Sequence, residues 1–309
     1  MAQVKFLVFA DLHHYPGVFC TDARRRLKEL FARAEKEKVD FAVSLGDFNH
    51  SVGTFPELIE DLKESPVPVY HVMGNHDTDG AALDEVLKAY NMPAEYYYKD
   101  ICGFRFIMLD TNYYKHHGGI THFQYRNYFD FPNSREFLPD EELEFLDNAL
   151  MSSPYPCVLF SHASLERRAK GGAGLVNQSV VRQLIRKAND AGKKVMLSCN
   201  GHHHRDNIRI LDNVVYFDVN SASFDWLNAP HSLFPEELRN AYELADHQAI
   251  FTDALSAVVT LDSDGLVKIE GSKSDFLHGI TREMSGNQEC DGAGRPCVAE
   301  VQSAMFRLL

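Results

Sequence analysis

The chain has 309 residues, 45% of them hydrophobic, which is enough to bury a sizeable core and argues against global disorder. Lys plus Arg total 31 and Asp plus Glu total 44, a net charge of −13 that disfavours a dedicated nucleic-acid binder. A small anionic substrate remains compatible with that balance, because a bound cation reverses the field locally.

Residues 4–10, "VKFLVFA", form a short apolar run that predicts a buried strand. No basic leader or small-residue cleavage site accompanies it and no apolar run reaches membrane-span length, so the expectation is a cytoplasmic protein with no membrane partner. Asp22 is placed to cap a helix over 23–37, with Leu27, Leu30, Phe31 and Ala34 on one face. "FAVSLG" (41–46) reads as the next strand, "FPELIEDLKE" as a short helix, "VPVYHVMG" (67–74) as a third strand, and 80–90 as a third helix.

Beyond that point the pattern changes. Residues 95–110 look like a hairpin turning near Gly103. A helix follows Pro139, with Leu143, Leu146 and Leu150 at helical spacing, and leads into the strand "CVLFSH" (157–162). A helix over 178–190 carries Val181, Leu184, Ile185 and Ala188, with Gly192 as C-cap. "KVMLSCNG", "NIRIL", "VVYFDV", "LSAVVTL" and "LVKIEG" complete the strands.

Units of βαβ therefore give way to hairpins, which predicts mixed sheets covered by helices in one domain over 1–271. Residues 272–309 read as an irregular extension, wrapped on the body or at a subunit contact. Residues 111–138 are aromatic, histidine-rich and aperiodic, the kind of loop that forms a lid or binding surface. Residues 224–250 hold the single tryptophan, Trp226, and a helix near 235–246. No feature of the sequence specifies an oligomeric state.

None of the six cysteines forms a CxxC pair, so a zinc ribbon is unsupported. Cys157 and Cys199 read as small core residues. Cys290 and Cys297 could pair across a Gly-rich tail, which a cytosolic setting disfavours.

The fifteen histidines are not scattered. The first strand ends in Asp11, His13 and His14, the second in Asp47, Asn49 and His50, and the third in Asn75, His76 and Asp77. Two later strands end in His162 and in His202, His203 and His204. Taken singly, each has a plainer explanation: an Asp after a strand caps or turns, and a His there is a surface imidazole. Taken together, five strand ends deliver carboxylates, imidazoles and an amide to one sheet edge, where open α/β sheets bind ligands. Oxygen with imidazole nitrogen suits Mn, Fe or Zn. Two ions about 3.5–4 Å apart share a carboxylate, for which Asp47 is the candidate.

These pieces resemble the signature of the calcineurin-like metallophosphoesterases, in which D-x-H, G-D, G-N-H-D, a lone His and G-H-x-H occur in that order. Here they are Asp11-Leu12-His13, Gly46-Asp47, Gly74-Asn75-His76-Asp77, His162 and Gly201-His202-His203-His204. The resemblance implies an α/β fold of two facing mixed sheets flanked by helices, a four-layer αββα sandwich. It implies two divalent metal ions, one held by Asp11, His13 and His204, the other by Asn75, His162 and His202, with Asp47 between them. His76 would assist the leaving group and Asp77 would orient it. His14, His50 and His203 receive no ligand role.

The implied reaction is hydrolysis of a small organic phosphate mono- or diester by a hydroxide held between the two ions. The helix before "CVLFSH" resembles one in the branch containing cyclic-nucleotide phosphodiesterases and purple-acid-phosphatase-like enzymes. Asn112, Tyr113, His116 and His117 could line the substrate pocket, or belong to a solvated aromatic loop. The rival classes are a catalytically silent scaffold of the same fold, which the intact ligand set disfavours, and a nuclease, which the acidic balance disfavours.

Overall fold

Strand β1 (Gln3–Phe9) is an almost wholly buried apolar run, and this places it at the centre of a sheet. The computed structural model of the chain describes residues 2–167, 174–227, 230, 233–285 and 295–308. From β1 the chain passes through α1 (Ala23–Glu37) to β2 (Phe41–Ser44), and through α2 (Glu57–Leu62) to β3 (Val69–His71). These three strands are parallel, with Phe6 level with Phe41. Helix α3 (Leu83–Ala89) then leads to a hairpin of β4 (Tyr97–Ile101) and β5 (Phe104–Met108), turning at Cys102 and Gly103.

A small hairpin, β6 (Tyr113–His116) and β7 (Gly119–His122), stands apart from the main sheets. After it come α4 (Asp140–Ser152), β8 (Cys157–Ser161), α5 (Gln178–Asp190) and β9 (Val195–Asn200). Strands β10 (Asn207–Leu211) and β11 (Val214–Asp218) form an antiparallel pair. The chain continues through β12 (Phe224–Trp226), α6 (Glu236–Ala241), β13 (Gln248–Ile250), β14 (Ala257–Asp262), β15 (Leu266–Gly271) and β16 (Ala304–Arg307).

The main sheets have the orders β16-β15-β14-β1-β2-β3 and β10-β11-β9-β8-β5-β4. Both are mixed. In the first, β1, β2 and β3 run parallel out to one edge, and β14, β15 and β16 add antiparallel strands on the other side. In the second, the parallel strands β11, β9, β8 and β5 form the middle, and β10 and β4 are antiparallel edges. They face each other across an aromatic core, in which Phe6 of β1 meets Phe106 of β5 and Phe160 of β8, each at 5.6 Å. On the outer face of the second sheet, Ile107 and Leu159 pack with Leu146 of α4 and Val181 and Ile185 of α5. Helix α1 buries Leu27, Leu30 and Phe31 with the first sheet. The layers are thus helix, sheet, sheet, helix. No helix among the described residues is long and apolar enough to cross a membrane.

Two local expectations change. Asp22 precedes α1 but makes no side-chain cap; its φ is 47° and its carboxylate pairs with Arg25 instead. The tail is not wholly irregular, because Ala304–Arg307 pair with β15 as an edge strand, Phe306 opposite Val267. That strand is held by backbone hydrogen bonds at a half-solvated edge, so its four residues carry no hydrophobic alternation to read. Cys157 and Cys199 are both fully buried. Cys290 lies outside the described residues, and with it the disulfide considered for Cys297.

Candidate metal centre

The parallel strands β1, β2, β3, β8 and β9 release their chain at one edge, and each is followed within a few residues by a candidate ligand. The turns are tight. Asp11, His13, Asp47, His202 and His204 all take positive φ, between 50° and 68°, a region that side-chain-bearing residues seldom occupy. Such conformations persist where surrounding structure over-determines them, and they concentrate at functional sites. Gly46 and Gly74 permit the approach of two of these turns. A Cβ on Gly74 would lie 2.1 Å from the Asp47 nitrogen, and one on Gly46 would lie 2.5 Å from the Gly74 nitrogen.

Two groups of donor atoms result. Asp11, His13 and His204 form one and Asp47, His162 and His202 the other, with the donor atoms in each group within 4.8 Å of one another. The His13 and His204 Nε2 atoms are 3.0 Å apart. His162 Nε2 faces Asn75 Oδ1 at 3.0 Å and His202 Nδ1 at 3.1 Å. Asp47 Oδ2 stands between the groups, 3.3 Å from His162 Nε2 and 3.7 Å from His13 Nε2.

The hydrogen bonds behind these atoms test whether cations fit. The His162 Nδ1 donates to the Leu45 carbonyl at 2.7 Å, and the His204 Nδ1 to the Phe224 carbonyl at 2.7 Å. Each bond turns Nε2 inward. His204, held neutral by burial, offers a lone pair there, whereas at His162 Asp47 outweighs burial and keeps Nε2 protonated until a cation takes the proton's place. Burial pushes the Asp11 carboxyl up to about 8 and the His204 imidazole down to about 3. Burial also raises the Asp47 carboxyl, but His162 and His76 outweigh it and hold it well below the usual range. The His202 backbone N–H meets the Asp11 carboxylate and the His76 backbone N–H meets Asp47 Oδ1, so the protein satisfies the carboxylates in part. The remaining carboxylate oxygens and the imidazole nitrogens are donor types that divalent cations accept, and this oxygen and imidazole set suits Mn, Fe or Zn.

A supporting shell, which the sequence did not disclose, holds these ligands. Glu136 Oε1 lies 3.0 Å from His202 Nε2, a carboxylate–histidine pair of the kind that orients metal ligands. His50 Nε2 lies 2.9 Å from His13 Nδ1. The Asn75 Nδ2 donates to the Tyr128 hydroxyl at 3.3 Å, which turns the amide oxygen toward His162. Glu136 and Tyr128 come from the aperiodic stretch 111–138, where no repeat or motif marks them.

His76 sits at the edge of the centre, its backbone N–H donating to Asp47 Oδ1 at 2.8 Å. Asp77 does not orient it. The Asp77 carboxylate accepts the backbone N–H groups of Asp47, Phe48, Asn49 and Gly74 and the Tyr90 hydroxyl, and so ties the second and third strand-end turns together. The partner of His76 is Asp79, with Oδ2 2.7 Å from Nδ1; the Tyr128 hydroxyl is 3.2 Å from the same nitrogen. In the turn after Gly74, the carboxylate three residues from His76 reaches the ring while the adjacent one points to the backbone. The run "NHDTD" contains both and does not say which.

The other singled-out residues fall further away. Asn112 is buried, and its amide donates to the Met73 carbonyl and to Asp110. The Tyr113 hydroxyl bonds Glu95, His116 bonds Thr121 within the β6–β7 hairpin, and His117 is exposed at its tip. Asn112, Tyr113, His116 and His117 do not line the cavity next to His76. That cavity, of about 310 Å3, is bordered by His50, His76 and Asp79 on the polar side and by Tyr15, Phe19 and Trp226 among its aromatic residues. His14 turns outward to Glu57 Oε1 at 2.7 Å, and His203 packs edge-on against His202.

Among solved structures, a dimetal phosphatase from Danio rerio gives a TM-score of 0.64 at 13% identity, covering 100% of both chains. GAP50, the anchor in the inner membrane complex of Plasmodium, gives 0.60 at 14% identity over 100% of this chain and 90% of that one. A purple acid phosphatase from yellow lupin seeds gives 0.52 at 15% identity, with coverages of 99% and 54%. At these identities the likeness is one of fold. No curated protein matches the sequence. A family profile described as calcineurin-like phosphoesterase matches residues 4–206, more than half of the chain and a span that includes every candidate ligand. That match supports metal-dependent phosphoester hydrolysis in general terms. The chain belongs to the calcineurin-like phosphoesterase family.

Proposed function

We propose that the protein hydrolyses small organic phosphate mono- or diesters at this centre. The observation that carries the reading is the convergence of seven donor residues on one edge, with a histidine–carboxylate pair beside them. Asp11, His13 and His204 would hold one divalent ion and Asn75, His162 and His202 the other, with Asp47 shared. Mn, Fe and Zn are the candidates. When bound, such a pair supplies Lewis acidity toward phosphoryl oxygens and lowers the pKa of water.

The chain's own groups do the rest. Asp79 and Tyr128 hold Nδ1 of His76, which leaves Nε2 for the substrate. Burial would lower the His76 pKa, but Asp47 and Asp79 outweigh it and raise the value above that of a free imidazole. When protonated, His76 can pass its proton to the departing ester oxygen as the P–O bond breaks. Asp47, already bonded to the His76 backbone, keeps that donor in register with the ligands. A silent scaffold has no use for this oriented histidine.

The test is turnover of a panel of phosphate mono- and diesters after loading with Mn, Fe or Zn. Hydrolysis that disappears with chelation supports the reading. A metal-loaded protein inert toward both ester classes overturns it.

A further inference from the structure

The cavity beside His76 is walled by aromatic rings from separate parts of the chain. Phe19 meets Trp226 edge to face at 5.8 Å, and Trp226 lies 5.9 Å from the ring of His204, so this wall abuts a candidate ligand. Tyr15 stacks on His50 at 4.8 Å. Phe129 stacks on Tyr128, the residue that holds His76, at 4.6 Å. Tyr15, Val18 and Phe19 belong to one satellite hydrophobic cluster, and Phe129 stacks on Tyr128 of another, so the slot draws its rings from beside both clusters.

Trp226 and Phe129 are 39% and 47% exposed, although both line this slot. A single exposed ring needs no explanation. Two rings left open in one slot with the proposed proton donor call for an occupant that covers them. The Arg126 guanidinium lies 5.0 Å from the centre of the Phe129 ring, and no carboxylate among the described residues pairs with it. Asp79 and Glu243 also line the slot, which makes it unsuited to a multiply charged anion away from Arg126.

Building on the hydrolase reading, we propose that this slot receives the alcohol side of the substrate. That side is a planar aromatic group bearing one anionic or acceptor substituent that meets Arg126. Rings stack on Tyr15, Phe129 and Trp226 at little ordering cost, and the slot's volume suits one ring system. His76 borders the same slot, so the ester oxygen that leaves with the aromatic alcohol departs past its proton donor.

Trp226 is the only tryptophan, so its fluorescence reports occupancy without any turnover. The probes are 3-phenylpropylphosphonate, its para-carboxy derivative and propylphosphonate, titrated into the metal-loaded protein. The phenyl compound is expected to shift Trp226 emission and to bind about tenfold tighter than the propyl compound. The carboxylate should tighten binding further, and Arg126→Ala should erase that increment. Kinetically, 2-phenylethyl phosphate should exceed ethyl phosphate in kcat/KM by about tenfold, a ratio that Phe129→Ala lowers toward one.

Equal affinities with unmoved fluorescence, or a kinetic ratio near one on an active enzyme, overturn the slot assignment and leave the hydrolase reading standing. Selective binding of the phenyl compound without hydrolysis of any ester supports the slot and overturns the hydrolase reading.

Discussion

His76 Nδ1 lies 2.7 Å from Asp79 Oδ2, and the other oxygen of that carboxylate accepts the Tyr128 hydroxyl at 3.0 Å. One side chain therefore fixes both the ring of the proposed proton donor and the hydroxyl that sets the Asn75 amide. Burial would raise the Asp79 carboxyl, but hydrogen bonds to His50 and His76 outweigh it and hold it at about 2. It is therefore charged at neutral pH.

Replacing it should show in the pH profile. Because Asp79 raises the His76 pKa, Asp79→Asn should lower it and move the alkaline limb of kcat against pH downward. Maximal kcat should fall by about tenfold to hundredfold with metal content unchanged. A variant with an unshifted limb would assign Asp79 a purely structural part.

Asp77 should behave differently from its neighbour. It takes four backbone N–H groups and a tyrosine hydroxyl in a fully buried position. Asp77→Ala should cost about 3 kcal/mol or more of unfolding free energy, since each orphaned buried donor is expensive. Denaturant melts of the two variants separate the roles. Asp77→Ala shifts the midpoint strongly and Asp79→Asn shifts it little.

Tyr128→Phe removes the acceptor for the Asn75 amide. The oxygen of Asn75 is then free to swing away from His162, and the site it shares should lose about tenfold or more in metal affinity. Competitive titration with a chelating dye measures this. Retention of wild-type affinity at both sites would mean that Asn75 needs no such support.

His122 gives a stability prediction remote from the centre. Its Nε2 lies 2.8 Å from Asp110 Oδ2 and its Nδ1 2.6 Å from the Phe123 carbonyl. Burial lowers its pKa, but Asp110 outweighs that and the net shift is upward. A raised native pKa means that folding takes up the proton. The contribution is full below the unfolded value, about 6.5, and fades as pH rises through the native one. The stability advantage over His122→Gln should thus be largest near pH 5 and smallest near pH 9, as measured by urea unfolding. An advantage that grows with pH contradicts this.

The part of the site legible in the sequence is the part written in short-range order. A buried strand followed within a few residues by an aspartate, asparagine or histidine recurs five times, three of them with a glycine at the turn. The parallel arrangement of β1, β2, β3, β8 and β9 brings those ends to one edge. The supporting groups are different. Glu136 and Tyr128 reach His202 and Asn75 from an aperiodic stretch whose path is set by packing of Phe123, Tyr114 and Phe131. Nothing in their local sequence points to the partner. The choice between Asp77 and Asp79 turns on backbone geometry within a single turn. The slot aromatics, Phe19, Phe129 and Trp226, come from segments that meet only in three dimensions. Asn112 shows a related ambiguity, since a polar residue after a strand can serve the fold's own carbonyls as readily as a substrate, and its amide here meets the Met73 carbonyl.

The whole account rests on a pair of cations held by these seven residues, and the divalent-ion content of the purified chain tests it most directly. Elemental analysis after loading with Mn, Fe or Zn and removal of free metal should find two ions per chain in the wild type. It should find two in His76→Ala, which loses turnover but no ligand, and at most one in Asp47→Ala. A wild-type chain that retains no ion under saturating metal, or an Asp47→Ala chain that still retains both, contradicts it.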